Sequence, residues 1–244
     1  MSKQKPLINK RLIVALDKPD AKSAINLAAT LDPDYCRIKV GKELFTSAGP
    51  AIVEELHKRS FEVFLDLKFH DIPNTVAGAV KVACALGVWM VDVHASGGER
   101  MMAVAREAIE SSSGKPPLLI AVTVLTSMDQ QEMHSTGLSG QLNEQVRLLA
   151  SIASKAGCDG VVCSAQEASM LSTSQPSLLK VTPGIRLAGD DASDQRRVMT
   201  PVRAVEGGAD YLVIGRSVTS AADPVATLKE ISSDLNNADL QVAG

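Results

Sequence analysis

The stretch "EVFLDLKFHDIPNT", residues 62–75, joins a strand-like apolar run to a cluster of charges at its end. Residues 62–68 have the length and the β-branched and aromatic content of a buried strand. Asp66 and Lys68 lie two positions apart, so a regular strand would point both to one face, together with Phe64. Burying an ion costs several kcal/mol even when it has a partner. These charges therefore predict a functional site at the end of a core strand.

Similar apolar runs recur along the chain and alternate with amphipathic helical segments. Runs that are apolar on both faces predict a parallel sheet covered by helices, and eight such units in 244 residues predict a closed (β/α)8 barrel, an α/β fold. A doubly wound open sheet is the alternative, but the first turn, "ALDKPDAK" (15–22), has no glycine-rich pattern. The predicted strands are residues 12–17, 36–41, 62–68, 89–95, 118–125, 160–164, 179–184 and 211–216.

Helix-start signals fall between the predicted strands. Asp223-Pro224 places proline at a first helical position behind a capping residue, and residues 164–167 ("SAQE") have capping-box spacing. Asn74 is a possible cap of the helix that closes on Gly87. Residues 42–50 are expected to be a simple strand-to-helix connection.

Composition excludes several classes of protein. A net charge of −3 and only four Phe, two Tyr and one Trp argue against a nucleic-acid binder, which needs a basic patch or stacking platforms. The chain starts without an apolar leader and has no run of 18 apolar residues, so we expect a soluble, cytoplasmic protein with no membrane partner. We expect one domain, residues 1–244, with an ordered core at about 10–234.

The cysteines and histidines are not spaced as metal ligands. The four cysteines lack CxxC pairing and the four histidines lack HxxxH spacing, so the sequence predicts neither a zinc site nor a disulfide framework. The cysteines are expected to pack in the core. His70 and His94 are expected to pack near the barrel mouth rather than to act as general acids.

Charged residues collect at the predicted C-terminal strand ends, where the active sites of such barrels lie. Asp17 ends strand 1, and Lys39, near the end of strand 2, should reach the same space as Asp66 and Lys68. A structural ion pair closing the barrel is the alternative interpretation. It explains one acid with one lysine, but not a second lysine and further acids at Asp17 and Asp71 around one opening. Alternating charges in a concave site favour catalysis.

The loops after strands 7 and 8 have the composition of a phosphate site. Such loops commonly bind phosphate in these barrels, and Gly215 with Arg216 offers close backbone approach and a bidentate contact. Residues 184–197 form a long polar loop, with Arg186 and Gln195 near its ends, that is typical of a closing lid. A plain surface loop is the alternative. The expected ligand is a phosphorylated small molecule.

"FLDLKFHDIPNTV" (64–76) resembles the signature of the orotidine 5′-monophosphate decarboxylase family, and the similarity extends from "LIVALD" to "VIGRS" across nearly the whole chain, closest to the bacterial branch. The DxKxxD pattern alone is shared with sugar-phosphate decarboxylases and aldolases, whereas the full run with "FHDIPNT" is specific. The resemblance implies decarboxylation of orotidine 5′-monophosphate to uridine 5′-monophosphate in de novo pyrimidine biosynthesis, without a cofactor or a metal. It also implies a homodimer.

The resemblance further implies roles for individual residues. It implies a charged catalytic network of Lys39, Asp66, Lys68 and Asp71, in which Asp71 comes from the second subunit. Thr75 also reaches across the dimer interface. The implied substrate-binding residues are Asp17 and Lys39 for the ribose, Thr126 or Ser127 for the pyrimidine edge, Pro183 near the ring, Arg186, Gly215 and Arg216 for the 5′-phosphate, Gln195 for phosphate and base, and Asp66, Ile72 and Thr75.

Two other functions remain open from the sequence. The first is a metal-dependent sugar-phosphate decarboxylase or hexulose-phosphate synthase of the same superfamily, whose turnover would stop in EDTA. The second is a non-catalytic barrel that binds a phosphorylated ligand, which would bind the nucleotide without releasing CO₂.

Overall fold

Eight parallel strands form a closed barrel in the computed structural model, which describes residues 10–187 and 199–242, with the backbone alone for 239–242. The strands pair in chain order, and the first also pairs with the last. This confirms the predicted (β/α)8 barrel. The strands are β1 (Leu12–Ala15), β2 (Arg37–Gly41), β3 (Val63–Phe69), β4 (Met90–His94), β5 (Leu118–Val122), β6 (Gly160–Val162), β7 (Leu179–Ile185) and β8 (Tyr211–Ile214).

Helices cover the outside of the barrel along the described part of the chain. They are α1 (Ala21–Ala28), α2 (Lys42–Ala48), α3 (Ala51–His57), α4 (Pro73–Ala85), α5 (Glu99–Glu110), α6 (Gln130–Ser135), α7 (Leu142–Lys155), α8 (Ala165–Ser174), α9 (Pro201–Glu206), α10 (Arg216–Thr219) and α11 (Pro224–Val242). Within residues 10–187 and 199–242, no helix combines the length and apolar character that crossing a membrane requires.

The helix signals in the sequence are partly confirmed. The Ser164–Glu167 capping box is present, and the Asp223 carboxylate accepts the Ala226 N–H at 2.9 Å. The expectation for Asn74 is wrong, because α4 begins at Pro73, whose fixed φ suits a first helical position. Residues 42–50 are not a plain connection, since α2 occupies most of them. Helix α11 continues to Val242, beyond the predicted end of the ordered core.

The strands separate two apolar cores. Side chains that point outward, such as Val14, Leu65 and Val91, pack against the helices in the larger core. Side chains that point inward form a smaller core inside the barrel. This alternation follows from the period of two along each strand. The inner core comprises Ile13, Ala15, Phe64, Met90, Ile120, Val181, Tyr211 and Val213.

Aromatic and charged side chains close the barrel at its N-terminal end. The Arg37 guanidinium lies 4.0 Å from the centre of the Trp89 ring, and Trp89 meets Tyr211 edge-to-face at 5.1 Å. Arg37 also pairs with Glu62 at 2.8 Å. A cation over an aromatic face is stabilised by the ring quadrupole, more strongly when water is excluded. The barrel is therefore sealed at this end, and open space remains at the other.

All four cysteines are free and buried, which agrees with a packing role. Burial raises the pKa of the Cys36 and Cys158 thiols to about 12. A thiol that stays protonated at neutral pH is a poor nucleophile and metal ligand.

Gly160 allows β6 to approach β7 closely, and we predict that Gly160→Ala destabilises the barrel. A methyl group there would collide with the Leu179 carbonyl oxygen and lie 2.7 Å from the Leu179 Cβ. Overpacking of this kind typically costs about 1–3 kcal/mol. Urea unfolding followed by circular dichroism measures the loss. An unchanged unfolding midpoint would contradict the close approach of β6 and β7.

Candidate active site

A cavity of about 500 Å³ opens at the C-terminal ends of the strands. Its floor is apolar and includes Ala15, Phe64, Val181 and Val213 from the inner core, whereas its rim is polar. The cavity is large enough for a small phosphorylated ligand. The predicted site residues that line it are Asp17, Lys39, Asp66, Lys68, Thr126, Pro183, Arg186, Gly215 and Arg216.

The Asp66 carboxylate lies between two lysines at one side of this cavity. Its Oδ2 is 3.2 Å from the Lys39 Nζ, and its Oδ1 pairs closely with the Lys68 Nζ. The Lys39 Nζ also lies 3.3 Å from the exposed Asp17 carboxylate. Four charges of alternating sign thus meet here, as the sequence predicts. Lys39 lies on β2, Asp66 and Lys68 lie on β3, and Asp17 follows two residues after β1, which ends at Ala15 rather than at Asp17 as predicted.

The charges around Lys39 and Asp66 keep both of these side chains ionised. Burial opposes the charge on Lys39, but the nearby Asp66 and Asp17 carboxylates more than offset it, so the pKa of Lys39 is raised. Burial likewise opposes ionisation of Asp66, yet the positive charges of Lys39 and Lys68 hold the pKa of Asp66 well below its usual value. An opposite charge within a few ångströms favours the charged form of each group.

Lys68 departs from the regular strand geometry that the sequence suggests. Its φ is +52°, in the left-handed region that non-glycine residues rarely adopt, and the register of β3 against β4 shifts between Leu65 and Phe69. Irregular strands of this kind often redirect a side chain beside an active site. Lys68 still shares the cavity with Asp66, but an irregular backbone positions it rather than simple alternation.

Asp92 on β4 is a site residue that the sequence analysis did not single out. Its side chain is fully buried, and its Oδ1 accepts the Lys68 backbone N–H at 2.7 Å. Its Oδ2 lies 4.0 Å from the Lys68 Nζ. The signal in the sequence is an acid at the inward-facing position between Met90 and His94, inside an otherwise apolar strand.

The opposite side of the cavity carries the residues predicted to bind phosphate. Gly215 is the N-cap of α10, so Arg216 and the following backbone N–H groups begin a short helix at the cavity rim. Arg186, at the end of β7, also lines the cavity. Thr219 and Ser220 join this rim without having been predicted, although polar residues after strand 8 were a usable signal. Gln195, with most of the predicted lid, lies outside the described residues.

The structure leaves four other predicted site residues outside the cavity lining. Asp71, Ile72 and Thr75 are exposed where α4 begins, and Ile72 is 68% exposed. The Asp71 carboxylate accepts the Ile72 N–H at 2.6 Å instead of meeting Lys68 of its own chain. Of the two candidates after β5, Thr126 lines the cavity and Ser127 does not.

The two histidines near the mouth pack against each other, with ring centres 5.4 Å apart. Burial, with the positive charges of Lys42 and Lys68 adding to it, lowers the pKa of His94 to about 4. His94 is therefore neutral at physiological pH, which makes it a poor source of a catalytic proton.

Known proteins resemble this chain over most of its length. The sequence model of the Orotidine 5′-phosphate decarboxylase / HUMPS family matches residues 10–231. The orotidine 5′-phosphate decarboxylase of Pseudomonas aeruginosa (strain UCBPP-PA14) is 58% identical over 224 residues, which cover 92% of this chain and 97% of that protein. The enzyme of the same name from Vibrio parahaemolyticus is 56% identical over 230 residues, covering 94% and 99%.

Solved structures agree with the sequence comparisons. The crystal structure of orotidine 5′-phosphate decarboxylase from Lactobacillus acidophilus superposes with a TM-score of 0.84 at 36% identity, covering 96% of this chain and 100% of that one. An uncharacterized conserved protein from Geobacillus kaustophilus gives a TM-score of 0.81 at 40% identity, covering 92% and 100%. Together with the family match to residues 10–231, these similarities establish that the chain belongs to the Orotidine 5′-phosphate decarboxylase / HUMPS family.

Proposed function

We propose that this protein decarboxylates orotidine 5′-monophosphate to uridine 5′-monophosphate in pyrimidine biosynthesis. The observation that carries the proposal is the Asp66 carboxylate bridging Lys39 and Lys68 inside the cavity, in a chain whose relatives bear the name of this enzyme. The reaction breaks the bond between C6 of the pyrimidine and its carboxylate. The electron pair stays on C6, CO₂ leaves, and a proton takes its place.

The difficulty of this reaction explains the arrangement of charges. The carbanion at C6 has no adjacent π-system that spreads its charge well, so the protein must supply an environment that favours negative charge there. The Lys68 ammonium provides the positive charge and then donates its proton to C6. Asp66 holds the ammonium in place, with the Lys39 ammonium balancing its charge. Donors fixed in advance need no reorganisation during the reaction.

The rest of the cavity serves to bind the nucleotide. Asp17 and Lys39 bind the ribose hydroxyls, and Thr126 binds the pyrimidine edge, with Ser127 as the alternative. Pro183 lies against the ring. Phosphate binding far from C6 supplies energy that supports the chemical step. The proposed phosphate ligands are Arg186, Gly215 and Arg216, with Gln195 reaching phosphate and base.

The active unit in this proposal is a cytoplasmic homodimer. Asp71 and Thr75 extend into the partner's site, next to its Lys68, and Ile72 contributes to substrate binding. Support comes from their exposure and from Val82 on α4, which is 60% exposed. Thr75 and Val82 lie seven residues apart, two helical turns, and so share one face of α4. Exposed apolar side chains beside exposed site residues suit a protein–protein contact.

The comparisons do not support the two alternative functions. The curated relatives reported above both bear the name orotidine 5′-phosphate decarboxylase. Turnover that persists in EDTA separates the proposed reaction from the metal-dependent one, and CO₂ release separates it from plain ligand binding.

We predict that the purified protein converts orotidine 5′-monophosphate in EDTA and that Lys68→Ala removes nearly all of this turnover. Product nucleotide should still bind within about tenfold, or roughly 1.4 kcal/mol, because Lys68 acts on charge that develops in the transition state. The measurements are the absorbance change of the pyrimidine and calorimetric titration with product. The control is Lys115→Ala, which removes an exposed lysine paired with Glu62 and should keep full activity. Near-normal turnover by Lys68→Ala would refute the role of Lys68.

We predict that inactive Lys68→Ala and inactive Asp71→Ala proteins regain activity when they are mixed. If Asp71 serves the partner's site, a hybrid dimer has one site with both defects and one intact site. Random exchange makes about half of the dimers hybrids, so about a quarter of all sites should work. Native mass spectrometry verifies the exchange, and the turnover assay measures the gain. Verified exchange without recovery would contradict the shared site.

A further inference from the structure

Asp92 is a buried acid inside the barrel. Val91 and Val93, its neighbours on β4, belong to the outer core, whereas Met90 belongs to the inner core, so Asp92 points inward below the cavity mouth. None of its surface reaches solvent. A buried carboxyl group needs partners for both oxygens, because each leaves water on folding.

The first oxygen holds the unusual backbone of Lys68. Asp92 Oδ1 accepts the Lys68 N–H at 2.7 Å, across the point where β3 loses its regular register with β4. Lys68 has a φ of +52°, which L-residues avoid unless the surroundings enforce it. This hydrogen bond therefore fixes the direction in which the Lys68 side chain leaves the strand.

The second oxygen lacks the donor that a carboxylate would require. Among the described residues, no donor hydrogen-bonds to Asp92 Oδ2, and the Lys68 ammonium stands off at 4.0 Å while it pairs closely with Asp66. The charged groups that face Asp92 are Asp66 and Lys68 on β3, with Lys39 on β2 beyond Asp66.

The remaining neighbours do not supply a charge to Asp92. His94 follows on its own strand and is neutral at physiological pH, and Ile120 lies opposite on β5. Burial, and then the negative charge of Asp66, raise the pKa of Asp92 well above its usual value. An added proton would turn Oδ2 into a donor to Asp66.

We propose that Asp92 is a positioning residue that works as a neutral carboxylic acid, with Oδ1 anchoring the Lys68 backbone and the Oδ2 hydroxyl donating to Asp66. The donated hydrogen bond stabilises Asp66 as the anion that holds Lys68. A neutral Asp92 also adds no negative charge beside the point where the carbanion forms. The effect on turnover rests on the proposed decarboxylase activity, whereas the protonation state does not.

The proposal predicts opposite outcomes for two substitutions. Asn can accept the Lys68 N–H and donate to Asp66, so Asp92→Asn should keep at least about a third of kcat, with the basic limb of its pH profile unmoved. Asp92→Ala should lower kcat by about tenfold or more while KM and the number of product-binding sites per chain stay nearly constant. Asp210→Asn is the matched control, because Asp210 likewise accepts a backbone N–H, that of Lys180 at 2.8 Å, but at the far end of the barrel. The kcat of the Asp210→Asn enzyme should not change.

Four results would overturn the positioning role. The first is an Asp92→Asn enzyme as impaired as Asp92→Ala. The second is an Asp92→Asn enzyme whose basic limb moves to lower pH, since that limb would move if an ionised Asp92 were holding the lysine charge. The third is an unchanged kcat in Asp92→Ala. The fourth is a loss of kcat matched by an equal loss of product-binding sites, which would mean damage to the fold. If Asp92→Ala does not fold, the Asp92→Asn comparison still decides.

Unfolding measurements test the protonation state without reference to activity. A neutral Asp92 binds its proton in the folded state and releases it on unfolding above about pH 4, so wild-type stability falls with rising pH relative to Asp92→Asn. The urea midpoint of Asp92→Asn minus that of the wild type should grow between about pH 5 and 8, at one fixed protein concentration. A difference that is constant or shrinks with pH would overturn the neutral acid. This result would stand even if the protein did not decarboxylate the nucleotide.

Discussion

The Asp66 carboxylate, held between the Lys39 and Lys68 ammonium groups, is the interaction on which the site depends. Asp66 and Lys39 are each only 12% exposed at the side chain, so both ions lose most of their hydration. Such pairs repay desolvation only when their geometry is good and further hydrogen bonds satisfy the remaining atoms. Here each oxygen of Asp66 faces its own ammonium, and Asp17 adds a second acid beside Lys39. Removing Asp66 would leave the buried Lys39 ammonium with only the exposed Asp17 carboxylate beside it.

The barrel rigidly supports this row of alternating charges, which consists of Asp17, Lys39, Asp66 and Lys68. Strands β1, β2 and β3 are neighbours in the sheet, so their C-terminal ends bring Asp17, Lys39 and Asp66 together without long loops. The apolar inner core below and the Arg37–Trp89 contact at the other end keep water from the barrel interior. In such an environment, fixed charges act on a substrate more strongly than they would in water. The irregular end of β3 then determines where Lys68 points.

The sequence predicts the fold well because each strand carries its own local signal. All eight predicted strands are present in the described residues, and their order around the barrel follows from right-handed connections between parallel strands. The meeting of Asp17, Lys39 and Asp66 was predictable because the C-terminal ends of neighbouring parallel strands lie together at one end of the barrel. Helix α2 was missed because its start, after Gly41, has no side-chain cap.

Other features of the site depend on contacts between distant residues. The left-handed backbone of Lys68 reflects a hydrogen bond to Asp92, 24 positions further along the chain, and no local pattern at Lys68 indicates it. The raised pKa of Asp92 comes from burial and from the charge of Asp66, which require the folded barrel. The proposed roles of Asp71 and Thr75 in a partner's site rest on family resemblance and on their exposure in this structure.

The central claim is that Lys68 stabilises a carbanion at C6 and supplies its proton. The reverse step tests it most directly, since a group that protonates C6 must also remove a proton from C6 of the product. Uridine 5′-monophosphate labelled with deuterium at C6 can be incubated with the enzyme in ordinary water and followed by nuclear magnetic resonance. The account predicts that the wild-type protein releases the deuterium and that Lys68→Ala, with product bound, does not. Exchange at the wild-type rate in Lys68→Ala would contradict it.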